Sequence, residues 1–163
     1  MYNATDRSSG IRVAVKRATV PDQDFIDFGV EESVLREISM MRMLPEHDHI
    51  IRLVRVFASN HQNALRIHTI MPLADCDLYA FRRKHHPLSA GDMRRITAHI
   101  ARGLHFLHSH GIVHGDIKSS NVLMFGTVAK IADLGTSCSF VQVTFVKVNK
   151  TISDFCKSPQ NNQ

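Results

Sequence analysis

The chain has 163 residues, which is enough for one compact domain or for part of a larger one. Apolar residues make up 44% and charged residues 21%, which excludes a largely disordered chain, and no apolar run reaches the roughly 18 residues of a membrane helix. The net charge is +5 and the pI is near 9.4, but the basic residues are spread along the sequence, so we expect neither a nucleic acid nor a membrane as partner.

The cysteines bear on the compartment in which the protein works. Cys76, Cys138 and Cys156 are an odd and scattered set, which argues against a disulfide framework and for a reducing environment. The first residues carry no basic-then-apolar leader pattern. We therefore expect a cytoplasmic protein.

Strands and one helix are predicted in the first part of the chain. Residues 11–16 alternate and are rich in β-branched side chains, which predicts a strand, and residues 2–6 are a candidate partner strand. Residues 20–30 predict a loop. Apolar residues recur at helical spacing from 31 to 44, and Pro45 ends this helix. Residues 50–58 and 64–71 predict two further strands joined by a polar turn.

Helices dominate the second part. Residues 77–84 predict a short helix, and Ser89 is a candidate cap for a longer one that ends at Gly111. Along the longer helix a stripe of apolar residues is expected to face the core, namely Met93, Ile96, Ile100, Leu104 and Leu107. Short strands are predicted at 122–125 and 128–131. This order predicts an α+β protein with two lobes and a seam near residues 72–75.

One short segment carries the most specific chemical pattern, namely His114-Gly115-Asp116-Ile117-Lys118-Ser119-Ser120-Asn121. Twelve residues after its end the sequence continues with Asp133-Leu134-Gly135. Upstream, Lys16 ends the run Val-Ala-Val-Lys on a predicted strand, and Glu37 lies on the predicted helix. Taken together and in this order, these residues resemble the eukaryotic protein kinase family of the Ser/Thr type over about residues 2–135.

The resemblance implies a two-lobed, protein-kinase-like fold that is truncated at both ends. Residues 1–71 would form a partial, β-rich N lobe with one helix. Residues 72–135 would form the hinge and an incomplete helical C lobe with the catalytic loop and the metal-binding motif. Residues 136–163 would be a divergent and partly disordered tail.

The resemblance also implies a role for each charged residue of the set. Lys16 would contact the α- and β-phosphates of ATP, and Glu37 would hold the lysine in place. Asp116 would orient the substrate hydroxyl, and Lys118 would neutralise charge on the transferred phosphate. Asn121, on the same loop, and Asp133 would supply oxygen ligands to Mg²⁺.

The expected adenine site follows from the same resemblance. Ala14 and Leu123 would enclose the base from opposite sides. Met71 would be the gatekeeper residue, and the hinge would run from Pro72 to Ala74. Because Pro72 lacks a backbone N–H but keeps its carbonyl, it still offers an acceptor to the adenine amino group.

The implied function is ATP-dependent phosphoryl transfer to a Ser or Thr hydroxyl of a protein substrate. The alternative is an inactive, kinase-like module that binds a nucleotide or a protein partner. Two departures favour the alternative, because no Gly-x-Gly-x-x-Gly precedes Lys16 and nothing after Gly135 resembles an activation segment ending in Ala-Pro-Glu. We therefore expect little or no transfer by this chain as written.

Two smaller points concern single residues of the loop region. Gly115 stands where many family members carry an arginine that meets a phosphorylated activation segment, so control through that contact is not expected. His105, His108, His110 and His114 lie close together in sequence, but they lack the Cys or carboxylate ligands of a typical zinc site. The resemblance accounts for His108 and His114 as packing residues.

Overall fold

A computed structural model of the chain describes residues 1–21, 30–61 and 64–139. A four-stranded antiparallel sheet has the order β1-β2-β4-β3, with bounds β1 Tyr2–Thr5, β2 Arg12–Pro21, β3 Arg55–Asn60 and β4 Ala64–Pro72. Helix α1 (Glu32–Met43) lies between β2 and β3 in the sequence. This sheet and its helix form the first of two parts.

The second part contains helices α2 (Leu78–Lys84) and α3 (Ala90–Ser109). Its strands form a three-stranded sheet of order β5-β7-β8 and a two-stranded pair of β6 with β9, with bounds β5 Cys76–Asp77, β6 Ile112–Val113, β7 Val122–Phe125, β8 Val128–Ile131 and β9 Cys138–Ser139. The predicted α+β class is confirmed. No helix in the described ranges is long and apolar enough to cross a membrane.

The first sheet confirms the predicted strand pair at the start of the chain. β1 and β2 pair antiparallel, with Tyr2 opposite Val15. β2 is longer than predicted, because Val20 pairs with Leu65 and the strand continues to residue 21. The prediction of a loop at 20–30 was therefore wrong at its first two residues, and residues 22–29 lie outside the described part.

Residues 50–54 were predicted as the start of a strand, and this prediction was wrong. Ile50 instead makes a parallel bridge with Ile131 of β8. The N–H of Ile51 donates to the carbonyl of Ile131 over 2.8 Å, and the N–H of Ile131 donates to the carbonyl of His49 over 2.9 Å. A short apolar run fits either partner strand, so the sequence pattern alone could not show that Ile50 and Ile51 contact β8 while the N–H of Val54 donates to Ile70 of β4.

Side chains cap both helices of the second part, and the cap at Ser89 confirms the prediction. The carboxylate of Asp77 accepts from the N–H of Ala80 over 2.7 Å, and the hydroxyl of Ser89 accepts from the N–H of Asp92 over 3.0 Å. Met93, however, is 51% exposed rather than core-facing. It lies one turn before the first buried residue of α3.

One apolar cluster joins the two parts of the molecule. It brings residues of α1 into the same core as α3, β8 and the segment after β8, and its buried members include Met40, Met41, Leu107, Ile131 and Leu134. Leu107, Ile131 and Leu134 are fully buried. This core fixes α1 against the segment that begins at Asp133, which is the geometry that the candidate site requires.

Gly103 of α3 provides a test of this packing. A Cβ at this position would stand 2.8 Å from the carbonyl oxygen of His49 and 2.9 Å from the Cδ1 of Ile131. Inside a helix, alanine is normally about 1 kcal/mol more favourable than glycine. Because the close contact outweighs this gain, we expect Gly103→Ala to lower the free energy of unfolding by about 1–3 kcal/mol in urea denaturation.

Gly91 in the first turn of the same helix is the matched control. A Cβ there would meet only the hydroxyl of Ser89, at an ordinary 3.7 Å. We expect Gly91→Ala to leave the free energy of unfolding unchanged or to raise it slightly. A Gly103→Ala variant as stable as Gly91→Ala would contradict the close approach of α3 to the loop before β3.

Candidate active site

A lysine of the first sheet contacts two carboxylates from different elements. The Nζ of Lys16, on β2, lies 2.8 Å from Oε2 of Glu37 on α1 and 3.3 Å from Oδ1 of Asp133, which follows β8. The Glu37 side chain is 5% exposed, whereas those of Lys16 and Asp133 are 37% and 46% exposed. The structure therefore brings together three residues that are spread over more than a hundred positions of the sequence.

Burial and charge act in opposite directions on this group. Burial raises the pKa of Glu37, and the adjacent Lys16 offsets part of that rise. Burial alone would lower the pKa of Lys16, but the carboxylates of Glu37 and Asp133 outweigh it, so the pKa of Lys16 lies above its ordinary value. The lysine is therefore a fixed cation at neutral pH.

Asp133 has an unusual backbone conformation. Its φ is 65° and its ψ is 71°, which is the left-handed region that few residues other than glycine adopt. The following Leu134 is fully buried in the shared core, and its carbonyl accepts from the hydroxyl of Ser137 over 2.6 Å. The core thus anchors the turn on one side, while Asp133 remains half-exposed beside Lys16.

The loop after β6 holds a second charged group. Oδ2 of Asp116 accepts from the Nζ of Lys118 over 2.6 Å and from the Nδ2 of Asn121 over 3.0 Å. The Nδ2 of Asn121 also donates to the backbone carbonyl of Asp116 over 2.9 Å. The hydrogen bond from Lys118 is the main reason that the pKa of Asp116 is lowered, so Asp116 is a carboxylate at neutral pH.

His114 links the loop to the strand that leads to Asp133. The backbone N–H of Asp116 donates to its Nδ1 over 3.2 Å, so Nε2 carries the proton and donates to the carbonyl of Ala132 over 2.9 Å. The N–H of Ala132 in turn donates to the carbonyl of Asn121 over 2.8 Å. The sequence predicted only a packing role for this 1%-exposed histidine, although its place two residues before Asp116 was an available signal. The same prediction for His108 was wrong, because His108 lies on the exposed side of α3.

The candidate adenine residues lie on both parts of the molecule. Ala14 and Met71 are buried and pair in register on β2 and β4, and Pro72 pairs with Val13. Leu123 lies on β7 and packs against the core cluster that contains Met71. Ala74 is half-buried in the connection between β4 and β5. All of the five predicted positions except Ala74 therefore lie on the paired strands β2 and β4 or pack against the shared core.

Asn121 and Asp133 offer the oxygen ligands that a magnesium site needs. Both side-chain hydrogen bonds of Asn121 use its nitrogen, which leaves the amide oxygen for a cation. Among the described residues no group of three or more His, Cys, Asp or Glu side chains is arranged to hold a metal. The histidines between 105 and 114 were a candidate cluster in the sequence, and they form no such group. Two protein oxygens suit Mg²⁺, which takes its remaining ligands from phosphates and water.

Gly115 permits a close contact inside the site. Its φ is +81°, and a Cβ would stand 2.8 Å from the carbonyl oxygen of Thr136. The Thr136 hydroxyl donates to the carbonyl of His114 over 3.1 Å, which closes the contact from the other side. The loop and the segment after Asp133 therefore touch backbone to backbone at a residue without a side chain.

Replacement of Gly115 tests this contact. We expect Gly115→Ala to lower the free energy of unfolding by about 2–4 kcal/mol, because alanine adds strain at positive φ and collides with Thr136. The matched control is Gly126→Ala, since Gly126 also has positive φ, at +58°, but has nothing within 4 Å of the added Cβ. It should lose only about 1–2 kcal/mol. Equal losses in urea denaturation would contradict the close contact.

The chain is similar to known proteins over most of its length. A family model of the protein kinase domain matches residues 1–159. The relatives include cyclin-dependent kinase B2-1 of Oryza sativa subsp. japonica, 33% identical over 147 residues that cover 86% of this chain and 44% of that protein. The cyclin-dependent kinase 4 homolog of Caenorhabditis elegans is 38% identical over 153 residues, which cover 88% of this chain and 36% of that protein.

A third relative, cyclin-dependent kinase 4 of Ovis aries, is 33% identical over 141 residues that cover 83% of this chain and 46% of that protein. The chain therefore spans less than half the length of these curated relatives. The match includes the strand, the helix and the loop that carry the residues described above.

Proposed function

Because this chain belongs to the protein kinase family, we propose that it binds ATP with Mg²⁺ and transfers the γ-phosphoryl group to a serine or threonine hydroxyl of a protein. The observation that carries the proposal is the convergence of Lys16, Glu37 and Asp133 next to the loop of Asp116 and Asn121. Phosphoryl transfer depends mainly on positioning and on charge stabilisation, and this group supplies both.

The nucleotide would bind through the cation and through the two oxygen ligands. Lys16, held by Glu37, is a positioned ammonium for the α- and β-phosphates, and its contact with Asp133 brings it next to the expected metal ligand. Asn121 and Asp133 would hold Mg²⁺, which supplies neutralisation of the phosphate oxygens when it is bound. Ala14, Met71, Pro72, Ala74 and Leu123 would surround the adenine.

Asp116 would act on the substrate hydroxyl. Its Oδ2 is already occupied by Lys118 and Asn121, so Oδ1 remains to accept a hydrogen bond from the hydroxyl and to aim its oxygen at the γ-phosphorus. The oxygen–phosphorus bond forms as the bond to the β,γ-bridging oxygen breaks, ADP is the leaving group, and the hydroxyl proton passes to Oδ1 of Asp116. Lys118 neutralises the transferred group, and a lysine two residues after the aspartate supports a serine or threonine substrate.

Replacement of Asp116 is the direct test of transfer. We expect Asp116→Asn to lower kcat by about 10²–10⁴-fold on a generic Ser/Thr protein substrate, because the amide cannot orient and relay the proton in the same way. The affinity for Mg-ATP should change by less than about threefold, since Asp116 is not among the proposed nucleotide ligands. Asp48→Asn, which alters an exposed carboxylate outside the site, is the matched control.

The control should keep the wild-type kcat. Transfer that is equally fast in Asp116→Asn and in Asp48→Asn would contradict the assignment of Asp116.

A second candidate function is binding of a nucleotide without transfer. It rests on the same contacts of Lys16 with Glu37 and Asp133, because this group can hold Mg-ATP whether or not a phosphoryl group is then transferred. Under this hypothesis the chain binds Mg-ATP, is stabilised by it, and presents the liganded surface to a protein partner. The relatives are named as cyclin-dependent kinases, and we propose a cyclin as the protein partner of this chain.

The two candidates share a prediction about Lys16. Lys16→Met alone leaves the buried Glu37 carboxylate without its cation, so the double variant Lys16→Met/Glu37→Gln is preferred because it removes both charges. We expect it to remain folded and to bind Mg-ATP about 10–100-fold more weakly in calorimetry, the value of a lost charged hydrogen bond. An unchanged affinity of the double variant would contradict both candidates. A wild-type chain that binds Mg-ATP but transfers no phosphoryl group would support the second candidate.

A further inference from the structure

Five aromatic rings form a continuous row of ring contacts where the loop after α1 meets α3. His49 stacks on His99 with 4.2 Å between ring centroids, and it meets His47 edge-on at 5.6 Å. His47 stacks on Phe106 at 4.4 Å, and Phe106 contacts His110 at 4.3 Å. We call these five residues the histidine ladder; none of them takes part in the proposed phosphoryl transfer.

Backbone hydrogen bonds determine the protonation of two ladder residues. The N–H of Ala129 donates to Nδ1 of His99 over 3.3 Å, and the N–H of His49 donates to Nδ1 of His47 over 3.2 Å. An N–H group can donate only to a ring nitrogen that carries no proton. His47 and His99 must therefore be neutral, with their protons on Nε2. The carbonyl of Ala129 lies 3.1 Å from Nδ1 of His49, which donates to it.

Addition of a proton to His47 or His99 would break these contacts. The new N–H at Nδ1 would face a backbone N–H, so the hydrogen bond would be replaced by a repulsion between two donors. The pKa values of His47 and His99 are both lowered. Burial is the largest cause, and the neighbouring His49 lowers both values further. Most of the surrounding charges act in the same direction, since Lys130 and His110 face His47, and Arg102 and Arg95 flank His99. Within the described part of the chain, Asp48 alone opposes them.

The ladder lies between the two halves of the candidate site. On one side, the loop that carries His47 and His49 continues from the end of α1, the helix of Glu37. On the other side, Ala129 belongs to β8, and Asp133 lies two residues after the end of that strand. Loss of the ladder contacts would therefore loosen the junction between the helix of Glu37 and the strand of Asp133.

We propose that the histidine ladder is a proton-sensitive junction, in which protonation of His47 and His99 in mildly acidic solution detaches the 47–51 loop from α3 and β8. This proposal is independent of the proposed function, and only the link from the junction to the candidate site rests on that function. Because the pKa of each residue is lower in the folded chain than the ordinary 6.5, the stabilisation is complete above about pH 6.5 and is lost as the pH falls below it.

Amide hydrogen exchange of the full chain without nucleotide tests the junction. After correction for intrinsic rates, we expect the protection of the His49, Ala129 and Ile131 amides to fall by at least about tenfold between pH 7.5 and pH 5.5. In the double variant His47→Asn/His99→Asn, each asparagine oxygen can accept the same N–H without titrating. Protection in this variant should change by less than about twofold. His105→Asn, at an exposed position of α3, should behave as wild type.

An NMR titration of the wild-type imidazole signals keeps the proposal falsifiable if the double variant does not fold. We expect midpoints below 6.5 for both His47 and His99. A midpoint at or above 6.5 for either residue would overturn the proposal, as would amide protection that is equal at the two pH values. Because neither measurement involves ATP, a failure of the kinase assignment would leave both results interpretable.

Discussion

The contact of one ammonium group with two carboxylates is the interaction on which the rest of the molecule depends. Lys16 lies between a deeply buried Glu37 and a half-exposed Asp133. A buried carboxylate without a cation is strongly destabilising, but a buried ion pair is rarely better for stability than apolar residues of the same volume. The contact is therefore better explained by position than by stability: it holds a partly exposed charged nitrogen beside the half-exposed carboxylate of Asp133.

The packing of the molecule serves to maintain that contact. The lysine comes from β2, the glutamate from α1 and the aspartate from the end of β8, and no short-range interaction could align them. The core does so, because Met40 and Met41 of α1 share one apolar cluster with Ile131 and Leu134 on either side of Asp133. The 47–51 loop adds a second connection, since its backbone is hydrogen-bonded to β8.

Much of this could be predicted from the sequence, and the exceptions have physical causes. The helices α1, α2 and α3 could be predicted, because apolar spacing and a local cap such as Ser89 mark where a helix lies. The partner of Ile50 and Ile51 could not be predicted, because a short apolar run is the same whether it faces β4 or β8. The exposure of Met93 was missed for a similar reason, since periodicity identifies a helix face but not where its packing begins.

The site was predicted from motif order, but its connections were not. Lys16, Glu37 and Asp133 meet as the resemblance implied, whereas the role of His114 in joining the loop to Ala132 depends on ring hydrogen bonds that only coordinates reveal. The same is true of the histidine ladder, because His47 and His99 are far apart in sequence and neither belongs to a motif. Long-range contacts between single polar atoms leave no periodic signal.

The titration of the Lys16 amine, followed through its ε-carbon signal in NMR, tests the central contact most directly. The account predicts a pKa above the ordinary 10.5 in the wild-type chain, because two carboxylates outweigh burial. It also predicts a fall of that pKa in Glu37→Gln, where burial remains and the closer carboxylate is lost. A wild-type pKa at or below 10.5 that does not respond to Glu37→Gln would show that these side chains do not meet.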